Sequence, residues 1–250
     1  MAPRGRCVGW RRSGLAVIAP ANPTGSEPTH LPSKISFELG HAFNHTMMTR
    51  NQKPTGKPMS MKQTLDVINR MEADGIIGRY AIAGAVAAYN YVEPALTDDL
   101  DILIAFEAGQ AQQQSSLVTL GPLLTYLKAN GYSEFQREAI LIEGWAVQFI
   151  PVSSDLDAEA LAKAEPVNLE INPAEGSVKT RVLRPEYIVA TALRVNRAKD
   201  RYRIIQFLDD EAVNIESLCD VLERHGLSDT WRAFCSRTGI ANPCEVKSSR

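Results

Sequence analysis

The sequence predicts an α/β (α+β) fold in which a small mixed sheet with flanking helices is followed by a C-terminal α-helical region. Two patterns predict this fold. Across residues 59–183, short apolar runs of strand length alternate with segments of helical periodicity, whereas across residues 184–250 the periodic segments are helical. A chain of 250 residues with 44% hydrophobic content is also long and apolar enough to bury a sizeable core.

Residues 1–58 differ from the rest of the chain in charge and composition. They contain eight Lys or Arg residues and two Asp or Glu residues, although the whole chain has more acidic than basic residues, 29 against 27. The segment is rich in Pro, Gly, Ser, Thr and Asn and has no sustained periodicity. It is therefore predicted to be a disordered basic leader or an upstream extension outside the fold.

The cysteines and the apolar runs bear on the cellular setting. Cys7, Cys219, Cys235 and Cys244 show neither a C-x-x-C spacing nor a histidine pairing, so neither a zinc site nor a disulfide framework is expected. A reducing, cytoplasmic setting is the simplest interpretation. No run approaches the roughly 18 consecutive apolar residues of a membrane span, and no association with a membrane is expected.

The α/β region is predicted to open with a helix and to continue as a strand–helix–strand unit. The first helix places Leu65, Val67, Ile68 and Met71 on one face and ends at Gly75. After it, three segments predict in turn a short strand, a helix and a buried strand: RYAIAG, AVAAYNYV and DLDILIAF.

The remaining elements follow from similar patterns. A helix kinked near Pro122 is predicted to end at Gly131, and two strands are predicted around a turn at Glu143, Gly144 and Trp145. The segment DLDAEALAKAEP then predicts a short helix and VKTRVL a further strand. Four helices complete the chain, predicted over residues 185–196, 199–207, 215–225 and 230–237.

Two aspartates interrupt the most apolar predicted strand at its start. Because side chains alternate across a strand, Asp99 and Asp101 lie on one face and Leu100 and Ile102 on the other, toward the core. Two carboxylates held this close repel each other unless a cation lies between them. A hard divalent ion such as Mg²⁺ is bound in this way, with water and substrate phosphate as further ligands.

Gly84 is predicted to lie at the turn between the preceding strand and helix. A glycine there lets a phosphate approach the backbone, and the N–H groups at a helix start favour anions. A phosphate on one side and a metal ion on the other are typical of a site for a nucleoside triphosphate.

The segment IAGAVAAYNYVEPALTDDLDILI resembles the signature of polymerase-beta-like nucleotidyltransferases, in which a glycine and a small residue precede Asp-x-Asp in a strand. The later segment VLRPEYIVATALRVNRAKDRYRI is similar to the helical region of the AbiEii-type group, whose members resemble toxins of abortive-infection and toxin–antitoxin systems. There Glu186 and the segment from Arg197 to Asp200 match a Glu-led helix followed by an Arg/Lys-Asp pair. The resemblance covers about residues 60–235.

The resemblance implies a nucleotidyltransferase fold and a reaction with two Mg²⁺ ions, in which a hydroxyl attacks the α-phosphate of an NTP and pyrophosphate leaves. The acceptor is a tRNA, a protein or a small molecule, and a cognate antitoxin is a possible partner. The site residues that it implies are the metal ligands Asp99 and Asp101, the phosphate-binding backbone of Gly84, Ala85 and Val86, and Lys199 near the phosphates.

The chain departs from the family pattern at three points. Ala85 replaces a frequent serine, so a hydroxyl contact to phosphate is missing. Gln148 occupies the place of a third catalytic carboxylate, and an amide can ligate a metal but cannot act as a base. Glu143, across the predicted turn, is a possible substitute. A frequent helical lysine appears here as Thr191 or Ala192.

These departures leave other functions open. One alternative is a catalytically silent nucleotidyltransferase fold that binds a nucleotide or a partner protein. Another is a nucleic-acid-binding protein that uses the basic leader, with an affinity that falls steeply with salt. For Asp99 and Asp101 the simplest alternative is a solvated strand end beside a turn, and for Lys199 and Asp200 it is a surface charge pair.

Overall fold

A computed structural model of the chain describes residues 60–94, 96–97, 99–106, 116–170 and 174–245. The predicted leader, residues 1–58, lies outside the described residues. All the described residues belong to one compact unit of the chain. The division of this part into regions 59–183 and 184–250 therefore stays a prediction.

The described residues form seven strands and eight helices. The strands are β1 (Tyr80–Ile82), β2 (Asp99–Ile104), β3 (Phe135–Gln136), β4 (Ala139–Ile142), β5 (Trp145–Pro151), β6 (Glu165–Leu169) and β7 (Val178–Val182). The helices are α1 (Met61–Ala73), α2 (Gly84–Ala88), α3 (Ser116–Ala129), α4 (Asp155–Ala162), α5 (Pro185–Val195), α6 (Ala198–Asp209), α7 (Ile215–Arg224) and α8 (Ser228–Thr238). The predicted fold class is confirmed, since a mixed sheet with flanking helices precedes a run of helices.

The seven strands form one mixed sheet in the order β3-β4-β5-β2-β1-β7-β6. In its centre β2 is antiparallel to β1 and parallel to β5, and β1 is parallel to β7. The register sets Ile82 opposite Ile102, and Asp101 opposite Gln148. The end of β1 and the starts of β2 and β5 therefore lie at the same edge of the sheet.

Helix α1 begins and packs as its sequence predicts. The Ser60 hydroxyl accepts a hydrogen bond from the backbone N–H of Gln63 at 3.1 Å, which caps the first turn. Leu65, Ile68 and Met71 have no exposed surface, since they lie on the face turned toward the core. The polar face of the helix remains toward solvent.

Some element boundaries predicted from the sequence are wrong. The helix predicted for DLDAEALAKAEP ends at Ala162, and Glu165 already belongs to β6, a strand that was not predicted. The two-residue strand β3 was also missed. Helix α2 covers only five residues instead of the eight of AVAAYNYV. Short edge strands have too few residues for a period-2 pattern, so tertiary pairing decides them.

The helical region packs around α5, which contacts α6, α7 and α8. Leu183, just before this helix, donates its N–H to the carbonyl oxygen of Ile82 at 3.0 Å, and this bond places the helix start beside the end of β1. Near the other end, Arg194 pairs with the buried Asp157 of α4. Asn196 then turns the chain in the left-handed conformation, with φ of 59°, and α6 begins at Ala198.

The expectation that the cysteines form no disulfide is wrong for one pair. Cys219 of α7 and Cys244 form a disulfide across a sequence separation of 25 residues, and Cys235 is a buried free thiol. The spacing of two cysteines does not reveal a pair that tertiary structure brings together. The sequence-based inference of a reducing setting loses its basis here.

Among the described residues, none of the helices has both the length and the apolar character needed to cross a membrane.

Candidate functional site

Asp99 and Asp101 project from one face of β2, as predicted. Both are half-buried, whereas Leu100 and Ile102, on the other face, are fully buried. The hydroxyl of Thr97 donates a hydrogen bond to Oδ1 of Asp99 at 3.0 Å and so fixes the orientation of this carboxylate. The buried residues of β2 thus anchor Asp99 and Asp101 in the core and leave their carboxylates at the start of the strand.

Gly84 lies directly against the Asp101 carboxylate. The φ of Gly84 is +60°, a backbone conformation that residues with a side chain rarely adopt. A Cβ at this position would overlap Oδ2 of Asp101 and lie 2.8 Å from its Cγ. The neighbouring Ala83 donates its backbone N–H to the Asp101 carbonyl oxygen at 2.8 Å. Glycine is therefore required here both by backbone conformation and by space.

Three cations of the α5–α6 turn and α6 face the carboxylates. Burial raises the pKa of Asp101 and the neighbouring charge of Asp99 raises it further, whereas Lys199, Arg197 and Arg203 act in the opposite direction. Lys199 is thus one of the cations whose charge acts on Asp101, and its place near the phosphates stays a prediction. The net upward shift means that the cations only partly offset burial and the repulsion between the two aspartates.

The buried carboxylate of Asp200 pairs with two of these cations and holds them in place. This carboxylate is 1% exposed, accepts the Arg197 backbone N–H at 3.1 Å and pairs with the Arg197 guanidinium at 2.8 Å. It also pairs with Arg203 Nη1 at 3.7 Å. A capping carboxylate at a helix start is stabilised by the helix dipole. Asp200 is thus a structural anchor for the arginines rather than half of a surface charge pair.

Tyr89 and Arg203 close the side of the site next to α2. Burial raises the pKa of the Tyr89 phenol to about 12, with Arg203 opposing the shift and Asp99 adding to it. Burial likewise lowers the pKa of Arg203, against the charges of Asp200 and Asp101. Both groups interact electrostatically with the carboxylate pair. Tyr89 was not predicted as a site residue.

Gln148 lies beside Asp101 on the adjacent strand. The parallel register pairs the two residues, so their side chains share one face of the sheet. The Gln148 amide donates a hydrogen bond to Oε2 of Glu138, in the turn between β3 and β4, at 3.4 Å. The position predicted for a third carboxylate therefore holds an amide. The Glu138 carboxylate lies next to this amide.

Glu143 belongs to a different surface. Its carboxylate accepts a hydrogen bond from the Tyr132 hydroxyl at 2.6 Å. It lines an open groove of about 560 Å³ together with residues of α1, among them Asp66 and Arg70. The structure thus places Glu143 in the groove beside α1, whereas Glu138 is the acidic residue hydrogen-bonded to the Gln148 amide.

Two other arginines near Lys199 in sequence have separate roles. Arg194 pairs with Asp157 and donates to the Ser154 hydroxyl at 2.6 Å. Arg201 donates to the backbone carbonyl of Asn196 at 2.8 Å. These two arginines are thus engaged in contacts other than those with the aspartate pair.

The backbone predicted to contact the phosphates lies at the same end of the sheet as the two aspartates. Gly84, Ala85 and Val86 form the start of α2, immediately after β1. The first N–H groups of a helix have no partner within it. Their place beside Asp101 follows from the close approach of Gly84.

Sequence patterns contained only part of this site. The helical spacing of Lys199 and Arg203, four residues apart, was the signal that both lie on one face of α6. Tyr89 and Glu138 gave no such signal, because a lone tyrosine in a short helix and a glutamate in a turn have many other uses.

The carboxylate pair suits a hard divalent cation. The described residues contain no group of three or more His, Cys, Asp and Glu side chains that could hold a metal ion. Two carboxylates, completed by water and phosphate oxygens, are nevertheless the donor set that Mg²⁺ takes at phosphate-processing sites. Burial and the charge of Asp99 raise the pKa of Asp101, and a bound cation would favour its ionised form.

Comparison with known proteins gives little further information. No protein-family model matches the chain, and no curated protein matches it. Among solved structures, it is similar to an antigenic nucleotidyltransferase-like protein from Paracoccidioides brasiliensis, with 16% identical residues and a TM-score of 0.39. The match covers 69% of this chain and 94% of that chain. A likeness at this level supports no inference about function, which must come from the site.

Proposed function

We propose that the chain is a Mg²⁺-dependent nucleotidyltransferase-like protein that binds an NTP at the edge formed by β1, β2 and α6. One observation carries the proposal: the carboxylates of Asp99 and Asp101 share a face of β2, with Gly84 packed against Asp101 and three cations opposite. This arrangement combines donors for a metal ion with positive charge for a polyphosphate. A solvated strand end has no need of either.

Each group has a distinct part in the proposal. Asp99 and Asp101 hold the metal ions, and the backbone of Gly84, Ala85 and Val86 contacts the phosphates. Lys199, an exposed cation on α6, reaches the triphosphate as a point charge on a flexible side chain. The metal ions, two in this proposal, would orient the phosphates and offset the charge that develops on them.

The proposed reaction transfers a nucleoside monophosphate. An acceptor hydroxyl oxygen forms a bond to the α-phosphorus, the bond from this phosphorus to the bridging oxygen breaks, and pyrophosphate leaves. The hydroxyl proton passes to solvent. The acceptor is proposed to be the hydroxyl of a tRNA, a protein or a small molecule.

An AbiEii-type toxin role with a cognate antitoxin is the finer form of the proposal. It is supported by Glu186 at the start of α5 and by the segment from Arg197 to Asp200 at the start of α6. This form implies a cytoplasmic location. The disulfide between Cys219 and Cys244 speaks against that location, because disulfides persist mainly in oxidising compartments.

Calorimetric titration with the four NTPs tests the proposal. We expect the full chain to bind Mg-NTP in Mg²⁺ buffer and to lose this binding in EDTA. Lys199→Ala is expected to weaken binding by about tenfold or more, since a charge-assisted contact contributes roughly 1.5–3 kcal/mol.

Lys128→Ala is the matched control for this titration. It removes the same charge from an exposed lysine in the last turn of α3 and should leave NTP affinity unchanged. Binding that persists in EDTA, or an equal loss in both lysine variants, would contradict the assignment of the site.

A catalytically silent fold is the second candidate function, and Gln148 is the observation that favours it. The amide stands in register with Asp101, where a carboxylate would complete the metal ligands. Gln148→Asp discriminates between the two functions in an assay of nucleotide transfer to the acceptor candidates. A gain of about tenfold or more identifies a degenerate site, whereas no gain or a loss shows that Gln148 belongs to a working one. Glu138→Gln serves as the control, because it changes the partner of Gln148 without adding a ligand.

A further inference from the structure

Tyr202 is a large aromatic side chain left exposed beside the carboxylate site. It lies on α6 and is 64% exposed. The opposite face of this helix is buried through Asp200, Ile204 and Phe207. The apolar packing of the helix therefore does not account for an aromatic residue at this position.

The helix geometry places Tyr202 next to the cations of the site. Lys199, Tyr202, Arg203 and Gln206 have the spacing i, i+3, i+4 and i+7, so they form one stripe along α6. Two members of this stripe act electrostatically on Asp101. Tyr202 consequently lies within one helical turn of the groups proposed to meet the triphosphate.

A second exposed apolar side chain lies on the segment that faces the same stripe. The Gln206 amide donates to the backbone carbonyl of Glu93 at 2.9 Å, which ties α6 to the segment that leads into β2. In this segment Leu96 is 74% exposed. The next residue, Thr97, donates to Asp99. Leu96 and Tyr202 are thus brought to the rim of the site from two different elements.

We propose that Tyr202, together with Leu96 on the segment that leads into β2, forms the subsite for the nucleobase of the bound nucleotide. This inference rests on the proposed function and extends it from the phosphates to the base. An aromatic face and an aliphatic side chain suit a planar ring that stacks, and stacking tolerates any of the four bases because each has a π-face. An aromatic face and an aliphatic chain contact the faces of a base rather than its hydrogen-bonding edges, so discrimination among the bases is expected to be weak.

Comparing a nucleotide with its phosphate chain alone isolates the base contact. The full chain and its variants are titrated in Mg²⁺ with the four NTPs and with tripolyphosphate. Tyr202→Ala is expected to lower NTP affinity by about tenfold, as loss of a stacked aromatic does, and to leave tripolyphosphate affinity unchanged. Tyr202→Phe keeps the ring and should bind both ligands as the parent does. Phe135→Ala, an exposed aromatic on the edge strand β3, is the matched control and should change neither affinity.

The outcomes separate this inference from the function on which it rests. If the parent chain binds neither NTP nor tripolyphosphate, the proposed function fails and the subsite fails with it. If the parent binds both and Tyr202→Ala binds NTP equally well, the subsite alone is wrong. An equal loss for both ligands would show that Tyr202 acts on the phosphates or on the fold. A variant that binds NTP normally but transfers it more slowly would assign Tyr202 to the acceptor and overturn the base subsite.

Discussion

Gly84→Ala is expected to abolish metal-dependent nucleotide binding. The added Cβ would overlap the Asp101 carboxylate, so this carboxylate must move or the strand-to-helix turn must open. The positive φ of +60° adds about 1–2 kcal/mol of backbone strain. We expect more than about a tenfold loss of Mg-NTP affinity by calorimetry, together with a lower Tm.

Gly226→Ala separates backbone strain from the clash. Gly226 has a similar φ of +65°, but a Cβ there would have nothing within 4 Å. This variant should lower Tm by its backbone strain alone, less than Gly84→Ala does, and leave Mg-NTP binding intact. If both alanine variants bind Mg-NTP like the parent, the contact between Gly84 and Asp101 does not form part of a nucleotide site.

Asp101→Asn is expected to change stability and binding in opposite directions. Burial and the charge of Asp99 raise the pKa of Asp101, so its ionised form costs folding free energy at neutral pH in the absence of a metal. Removing the charge should stabilise the metal-free chain by roughly 0.5–2 kcal/mol, as at other functional sites that trade stability for activity. The same change removes a metal ligand, and the increase in Tm that Mg²⁺ with NTP gives the parent should disappear.

The pH dependence of stability shows whether ionised Asp101 stabilises or destabilises the fold. The pKa of Asp101 is raised in the folded chain, so its ionised form lowers the free energy of unfolding at pH values above this raised pKa. This destabilisation is lost as the pH falls through the raised pKa toward the ordinary range of an aspartate. The parent should therefore approach the Tm of Asp101→Asn on acidification.

Asp157→Asn is the matched control with the opposite sign. Burial raises the pKa of Asp157, but hydrogen bonds from Arg194 and Ser154 outweigh it and the net shift is downward. The contribution of Asp157 to stability is present above the ordinary pKa of an aspartate and is lost as the pH falls through its lowered pKa. This variant should be less stable than the parent at neutral pH. A neutral-pH destabilisation by Asp101→Asn of similar size would show that Asp101 is a structural carboxylate.

The parts of the fold that sequence predicted best have strong local patterns. The alternation of Asp99, Leu100, Asp101 and Ile102 fixed both the strand and the face of each side chain, because a period of two leaves no other arrangement around a buried core. Helix α1 was equally clear from its apolar face. In contrast, β3 and β6 are short edge strands whose existence depends on pairing with a neighbour.

The sequence predicted the main groups of the site but not the residues that hold them in place. Gly84 and the aspartates follow from a motif, and the structure brings them into contact. The buried position of Asp200 beneath Arg197 and Arg203 depends on how α6 docks, which sequence does not specify. For the same reason the pairing of Cys219 with Cys244 was missed.

Electron paramagnetic resonance of Mn²⁺, used in place of Mg²⁺, tests the central claim most directly. Free Mn²⁺ is counted while the full chain is titrated in the presence of an NTP, with Asp101→Asn measured in parallel. We expect the parent to remove Mn²⁺ from solution in an NTP-dependent manner, beyond what the NTP binds alone, and Asp101→Asn not to do so. Equal Mn²⁺ uptake by the parent and the variant would contradict it, as would no uptake by the parent.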